Sequence, residues 1–316
     1  MKHTALYYRI LSYQPENLIL LKKTFHVIEL DSPCQDANDT LDQIEVLFAP
    51  LGYVVDAAKM DLCSRLRVIS SNTTGVPHID LEAAAARGIV VCALHDESEF
   101  LDSISATAEH TIGLILAAWR RVPAAHAAAT AGAWERWSWG APAMLSRMRL
   151  GIVGYGRLGR KVAEIGRALG MDVAYYDPHV SGGIDDLLML ARRSDILSLH
   201  AEVNEETRGL VGHEVINALP FGAMVVNTAR GELLDTEALL DGLESGRLRC
   251  AALDVIDGEY APGFAEEFRH SRLARYARDH DNLLLTPHIG GSTVDAWTET
   301  QRRVIEKTAR VLAAAG

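Results

Sequence analysis

The chain is poor in the features that mark several protein classes. Only four cysteines occur in 316 residues, at positions 34, 63, 92 and 250, with no CxxC pair and no spacing that suits a metal. That usage excludes a disulfide scaffold and fits a reducing compartment. No apolar run reaches the roughly 18 residues that a bilayer span needs. The N-terminus has little positive charge, carries Glu16 and Asn17 in its middle and lacks a small-residue cleavage site, so it does not read as a secretory leader. The expected location is the cytoplasm. Basic residues are outnumbered, with 31 lysines and arginines against 42 aspartates and glutamates, and the formal net charge is −11. There is no long basic run. A surface of that sign repels phosphate backbones and argues against nucleic acid as a partner.

What is present is an ordinary globular composition, 48% hydrophobic and 23% charged, long enough for about two domains with real cores. Short apolar runs alternate with helical patterns. Strands are expected at Ala5–Tyr8, Phe25–Leu30, Glu45–Phe48, Leu66–Ser70 and Ile89–Cys92. After a break they are expected at Arg149–Val153, Asp172–Tyr176, Asp195–Leu199, Met224–Asn227, Cys250–Asp254 and Leu283–Thr286. Helix patterns lie between them, among them Asp80–Arg87, Leu158–Leu169 and Thr236–Glu244. This alternation predicts an α/β fold of two Rossmann-like domains: parallel sheets covered by helices on both faces, with a cleft between the domains. The long alanine-rich helix pattern Ser103–Arg121 and an irregular connection to Met144, with Trp134, Trp137 and Trp139, separate the two strand sets. The expected boundaries give one domain from residues 1–102 plus 290–316, closed by the helical pattern Thr293–Ala315, and a second from 103–289.

The second domain opens on GIVGYGRLGR, in which Gly154, Gly156 and Gly159 form G-x-G-x-x-G between a strand pattern and a helix pattern. Gly154 permits the tight turn, Gly156 lets backbone approach a pyrophosphate, and Gly159 lets the helix lie close to the strand. The helix N-terminus then offers free N–H groups and partial positive charge to phosphates. Asp177 ends the next strand, where an acidic side chain accepts hydrogen bonds from ribose hydroxyls and repels a 2′-phosphate. No arginine stands in DPHVSGG. The expected cofactor is NAD rather than NADP.

Three later segments each place a polar residue after an apolar strand. MVVNTARGELLD carries Arg230, AALDVIDGEY carries Asp254 and Glu259, and LLLTPHIGGST carries His288. Ligands of open parallel sheets bind outside the carboxyl ends of the strands, so these side chains are candidates for one site. With SNTTGVPHIDLEAAAARGI, ATAEHTIGLIL and the glycine loop, these segments make the chain resemble the D-isomer-specific 2-hydroxyacid dehydrogenases, the group that includes phosphoglycerate dehydrogenases and glyoxylate and hydroxypyruvate reductases. The resemblance runs over nearly the whole chain. It implies a doubly wound NAD-binding domain and a flavodoxin-like substrate domain, and NAD-linked interconversion of a D-2-hydroxy acid and its 2-keto acid in a homodimer. The physiological partner is then a small acid. No metal and no membrane are implied.

By motif match the resemblance makes Arg230, Glu259 and His288 catalytic. Histidine titrates near neutrality and suits the general base, and the acid in reverse. Glutamate would hold its tautomer, and the arginine fork would take the substrate carboxylate and C2 oxygen. The cofactor contacts implied are Gly154, Gly156, Arg157, Leu158, Gly159, Asp177, His200, Thr207, Thr228, Ala229, Asp254, Gly290 and Thr107, with Asp254 orienting the nicotinamide carboxamide. The substrate contacts implied are Tyr53, Thr74, Gly75, Arg230 and His288, the Asn72–Val76 turn acting as an anion nest. Tyr53 reads equally well as a packing residue.

The chain departs from the usual pattern in three places. Glu259 is followed by Tyr260 rather than proline, with a longer segment Ala261–Asp281 behind it. Glu202 is an added charge after His200, and Thr73 stands in a turn that is often richer in glycine. Glutamate rather than glutamine at 259 argues against formate oxidation, and an end at Gly316 implies no C-terminal regulatory domain. His110, His126 and the stretch Arg278–Asp281 lack metal spacing and read as helix-face or turn residues. Two other readings share the fold: oxidation of a phosphonate or phosphite-type substrate, and an NAD(H)-sensing protein of the corepressor kind. In some relatives a tryptophan from the Trp134–Trp139 region reaches the partner subunit's pocket, and Trp137 matches it best, with plain interface packing the equal alternative. If it shapes a pocket, Trp137→Ala changes substrate preference across a panel of 2-keto acids; unchanged KM values across that panel leave it a packing residue.

Overall fold

A computed structural model describes residues 2–261 and 263–314. The chain divides into two compact units. One runs up to Ile104 and resumes at Ser292; the other is Ser105–Gly291. The sequence pattern sets these divisions two residues earlier, at 102/103 and 289/290. The difference reflects the start of the long helix at Ala106 and the Gly290–Gly291 turn.

The first unit holds β1 (Thr4–Tyr8), β2 (His26–Leu30), β3 (Val46–Phe48), β4 (Val68–Ser70) and β5 (Val90–Cys92) in the order β2-β1-β3-β4-β5, all parallel. This is the flavodoxin-like order. Alternate residues enter opposite cores: Leu6, Leu47 and Ile69 on one face, Ala5, Val46, Phe48 and Val68 on the other. With both faces covered, the strands read as unbroken apolar runs. The helix Val294–Ala314 returns to this unit and buries Val304, Ile305 and Leu312 there. Its polar groups are matched as well: Gln301 Oε1 accepts from the Gln14 N–H (2.8 Å), and Thr308 pairs with Ser70 (2.9 Å).

The second unit holds β6 (Arg149–Val153), β7 (Asp172–Tyr176), β8 (Ile196–Leu199), β9 (Ala223–Asn227), β10 (Leu248–Leu253) and β11 (Leu283–Leu285). They form one parallel sheet, β11-β10-β9-β8-β6-β7. The order reverses between β6 and β8, where such sheets bind ligands. Val225 and Leu253 face one core, Met224, Val226 and Ala252 the other. The helix Ala106–Trp119 packs Ile112, Ile115 and Trp119 into the second of these. No helix among the described residues is long and apolar enough to cross a membrane.

Two segments differ from the sequence reading. The expected irregular connection after Arg121 begins with a helix, Val122–Thr130, with Pro123 in its first turn. A proline there is compatible with a helix start, because the first-turn N–H groups have no helical partner. Irregular chain follows only beyond it. The segment after Tyr260 folds into helices Phe264–His270 and Arg272–Asp279. Leu273 and Tyr276 enter the core, and Arg272 bonds Glu237, Asp241 (2.9 Å) and Glu244 (2.8 Å) on the helix Thr236–Glu244.

Each unit buries a histidine. Burial lowers His78 in the first unit and His200 in the second to about 4. His200 Nδ1 is shut from solvent with no hydrogen-bond partner. Both imidazoles stay neutral in the folded chain between the unfolded value, about 6.5, and about 4. Over that window the unfolded chain binds more protons, so stability falls as pH is lowered through it. The loss is on the order of 2–3 kcal/mol per histidine at pH 4. Denaturant unfolding of His200→Gln between pH 7 and 4.5 should therefore show a shallower pH dependence than the native protein; parallel curves would contradict this account.

Candidate active site

Strands β9, β10 and β11 are parallel neighbours, so their following loops leave the sheet on one edge. The first loop is shaped by Asn227, fully buried, whose Oδ1 accepts from the Ala229 N–H (3.0 Å) and whose Nδ2 donates to the Arg230 carbonyl (2.8 Å). Arg230 Nη1 donates to the Ala229 carbonyl at 2.7 Å. Gly231 then touches the second loop so closely that a Cβ would lie 2.0 Å from the Asp257 nitrogen and 2.1 Å from the Ile256 carbonyl carbon. Only glycine permits that approach, and it draws Arg230 toward the loop that carries Glu259.

The third loop is folded around Asp254, which is 2% exposed. Its carboxylate accepts from Thr286 Oγ1 (2.6 Å), the Ile289 N–H (2.9 Å) and the Gly290 N–H (2.7 Å), and His110 Nε2 stands 3.3 Å away. The Asp254 carbonyl accepts the His288 N–H at 2.8 Å. These bonds hold His288 at φ 51°, a left-handed conformation that costs a non-glycine residue roughly 1–2 kcal/mol. A Cβ on Gly290 would lie 2.8 Å from Asp254 Oδ2 and within 3.5 Å of Thr107 and His110 side-chain atoms, so the helix Ala106–Trp119 closes the back of the loop. His110, read from sequence as a helix-face residue, donates to or accepts from Thr286 Oγ1 at 3.1 Å. Its lone position on an apolar helix gives no sign of that role. For Asp254 the structure assigns a task that the motif match does not name: its carboxylate is engaged by the turn that presents His288.

The turn aims His288 at the loop after β10. Glu259 Oε1 lies 2.7 Å from His288 Nδ1, and Tyr260 Oη lies 2.9 Å from the same nitrogen. An ionised carboxylate only accepts, so Nδ1 carries the proton and Nε2 is left to exchange one with a ligand. The pair is partly buried, with side-chain exposures of 29% for His288 and 14% for Glu259. Burial, together with the negative Glu259, raises Tyr260 above the ordinary phenol value, while Arg230 pulls the other way. Arg230 thus sits within electrostatic reach of the same cluster. The longer segment behind Tyr260 leaves Glu259 beside His288.

The nucleotide side stands at the β6/β8 reversal. Gly154 has φ +88°, and a Cβ there would meet backbone of His200 and Ala201 at 2.5–2.7 Å. Gly156 caps the helix Arg157–Ala168 and faces open space, whereas Gly159 packs on the Gly154 carbonyl. Arg157 and Leu158 follow in the first turn. Asp177 accepts from the Tyr155 N–H (2.7 Å) and the His179 N–H (2.9 Å), tying the end of β7 to the glycine loop. An open glycine, a helix N-terminus and an acid at the end of the second strand are the parts that a dinucleotide needs, so these residues fit one. His200 bonds Ser198 through Nε2 (2.8 Å), Thr207 Oγ1 donates to the Glu202 carbonyl (2.6 Å), and Thr228 pairs with Thr111 (2.7 Å) next to Ala229.

In the first unit, Thr73 Oγ1 donates to the Gly75 carbonyl (2.7 Å) and pairs with Ser71 (2.8 Å), which fixes the turn that holds Thr74 and Gly75. Tyr53 is half-buried in the turn after β3. Trp134 and Trp137 are 91% and 79% exposed, and Arg136 lies over the Trp137 ring.

Asp254→Asn tests the folded turn directly. An amide group cannot accept from every N–H that the carboxylate satisfies, and at least one buried donor loses its partner. The expected cost is about 2–3 kcal/mol, read as a lower denaturant midpoint. A midpoint equal to that of the native protein would rule out this role.

Residues 112–290 match the family model for the D-isomer specific 2-hydroxyacid dehydrogenase NAD binding domain. A hydroxypyruvate reductase from Thermotoga maritima is 30% identical over 302 residues, 94% of this chain and 94% of that protein. A D-3-phosphoglycerate dehydrogenase from Methanocaldococcus jannaschii is 34% identical over 287 residues, 88% of this chain. The match covers 52% of that relative, so the chain spans about half its length. A protein of solved structure from Thermus thermophilus superposes with a TM-score of 0.84 at 32% identity, covering 98% of this chain and 97% of that one. The second unit therefore contains an NAD-binding domain, and the chain belongs to the D-isomer-specific 2-hydroxyacid dehydrogenase family.

Proposed function

We propose that the protein is an NAD-dependent oxidoreductase that interconverts a D-2-hydroxy acid and its 2-keto acid. The observation that carries this reading is the 2.7 Å contact of Glu259 with His288 Nδ1, on neighbouring loops of the NAD-binding unit. When bound, NAD supplies the hydride-transfer chemistry. Gly154, Gly156, Arg157, Leu158 and Gly159 would hold its pyrophosphate and Asp177 its ribose, with His200, Thr207, Thr228, Ala229, Gly290 and Thr107 along the remainder. Asp254 acts here as the support of the His288 turn.

In the reduction direction, His288 gives its Nε2 proton to the C2 oxygen as that carbon accepts hydride. In oxidation the same nitrogen takes the hydroxyl proton. Glu259 keeps Nδ1 protonated and balances the positive charge that the ring acquires. Arg230 stays charged and offers forked donors to the substrate carboxylate and the C2 oxygen. In the N-terminal unit, the Thr74–Gly75 turn is the proposed carboxylate nest and Tyr53 a proposed substrate contact. The exposed Trp134 and Trp137 support a homodimer, and four free thiols support a reducing, cytoplasmic setting.

Loss of NADH absorbance with glyoxylate, hydroxypyruvate, phosphonopyruvate and 3-phosphohydroxypyruvate tests the activity. At least one acid should turn over, with NADH preferred to NADPH because Asp177 repels the 2′-phosphate. His288→Asn should lower kcat by about 10²–10⁴-fold with NADH binding retained. A folded protein that binds NADH but turns over no 2-keto acid would defeat the proposal and favour a binding protein or phosphite oxidation, which a phosphite assay separates.

A further inference from the structure

His288 Nδ1 has two partners on adjacent residues, and they are chemically unlike. Glu259 Oε1 is 2.7 Å away and Tyr260 Oη is 2.9 Å away. The two rings lie with centroids 5.8 Å apart at 44°, so the phenol reaches the imidazole through its oxygen and is not stacked on it. A carboxylate can only accept a hydrogen bond, whereas a phenol can accept or donate. We propose that Tyr260 is a second positioning residue for His288, sharing Nδ1–H with Glu259 in a three-centre bond and able to hold the ring when Glu259 does not. This rests on the reading of His288 as the acid and base.

The two partners work from different directions. With Glu259 ionised, the single hydrogen on Nδ1 points between the two oxygens, and the phenol oxygen accepts the longer branch. Tyr260 keeps its own hydrogen, because burial and the neighbouring Glu259 hold the phenol neutral. If Glu259 loses its charge, the phenol O–H can turn and donate to Nδ1. Two anchors fix the ring plane of a residue whose backbone is held at φ 51°. A single anchor leaves the imidazole free to pivot about it.

The charged and titratable groups around this pair come from each loop packed there. Asp254 stands at the end of β10, Arg230 and Glu232 follow β9, and His110 reaches in from the helix Ala106–Trp119. All of them remain when Tyr260 is changed, so a change at 260 reports on the phenol oxygen alone.

The experiment is a double-mutant cycle of Tyr260→Phe and Glu259→Gln, with His288→Asn as reference, in the NADH-linked assay on the full chain. Tyr260→Phe should lower kcat roughly 3–10-fold, in line with one neutral hydrogen bond, and leave the KM for NADH unchanged. Removing an acceptor from the charged imidazole disfavours that form, so the kcat/KM midpoint should move to lower pH by several tenths of a unit, about what one such bond supplies. Combined with Glu259→Gln, the loss should exceed the product of the two single losses, because each residue replaces the other at Nδ1. Independently of turnover, the Nδ1–H proton resonance of His288 should move downfield in Tyr260→Phe as the bond to Glu259 becomes two-centred. A native pH midpoint, multiplicative losses and an unmoved resonance, with His288→Asn inactive, would overturn the role of Tyr260 and leave His288 intact. An active His288→Asn enzyme would overturn the acid–base reading and this inference with it.

Discussion

The candidate site depends on one buried carboxylate. Asp254 sits at the end of a central strand with almost no solvent, where an unpartnered negative charge would be unfavourable by several kcal/mol. The loop after β11 offsets that cost by folding around it, with one hydroxyl and two N–H groups directed at its oxygens. Charge-assisted bonds of this kind are about twice as strong as neutral ones. They outweigh the left-handed backbone at His288, which no nearby glycine relieves because the histidine itself occupies the strained position. The strain is local and serves an orientation: the same turn that satisfies Asp254 directs the imidazole at Glu259.

Strand order supplies the rest of the assembly. Arg230, Glu259 and His288 are far apart in the chain, yet β9, β10 and β11 are adjacent and parallel, so their carboxyl ends lie side by side. The approach of Gly231 to the Ile256–Asp257 backbone then removes the gap that two full side chains would keep open. From behind, the helix Ala106–Trp119 contributes His110 and Thr107, and its Thr111 pairs with Thr228 at the base of the Arg230 loop. A helix whose apolar face anchors the sheet thus carries, on its polar positions, part of the scaffold of the site.

Much of this is legible before any coordinates. All eleven strands fall where apolar runs stand, because doubly covered strands have no exposed face to interrupt the pattern. The glycine loop is recognisable because its spacing follows a strand and opens a helix. The misses have equally physical causes. Pro123 and the alanines after it read as a connection, although a proline in a first turn is compatible with a helix, and Val122–Thr130 is one. His110 stands out in no way, because a lone histidine on a helix has no local partner to reveal it. Asp254 matches a cofactor contact by motif, and nothing in AALDV announces that its carboxylate closes a turn more than thirty residues away.

Residue types, their order and the alternation of apolar runs are local quantities, and they are enough to establish the two α/β units, the phosphate-binding turn and the identity of the arginine, glutamate and histidine. Distances between side chains from different loops are not local. The sharing of one imidazole nitrogen by Glu259 and Tyr260, the left-handed His288 and the closure of its turn on Asp254 arise only when neighbouring strands bring separate loops into contact. Hydrogen bonds act over about 3 Å, a range that the spacing of residues along a chain cannot specify and that the folded backbone sets.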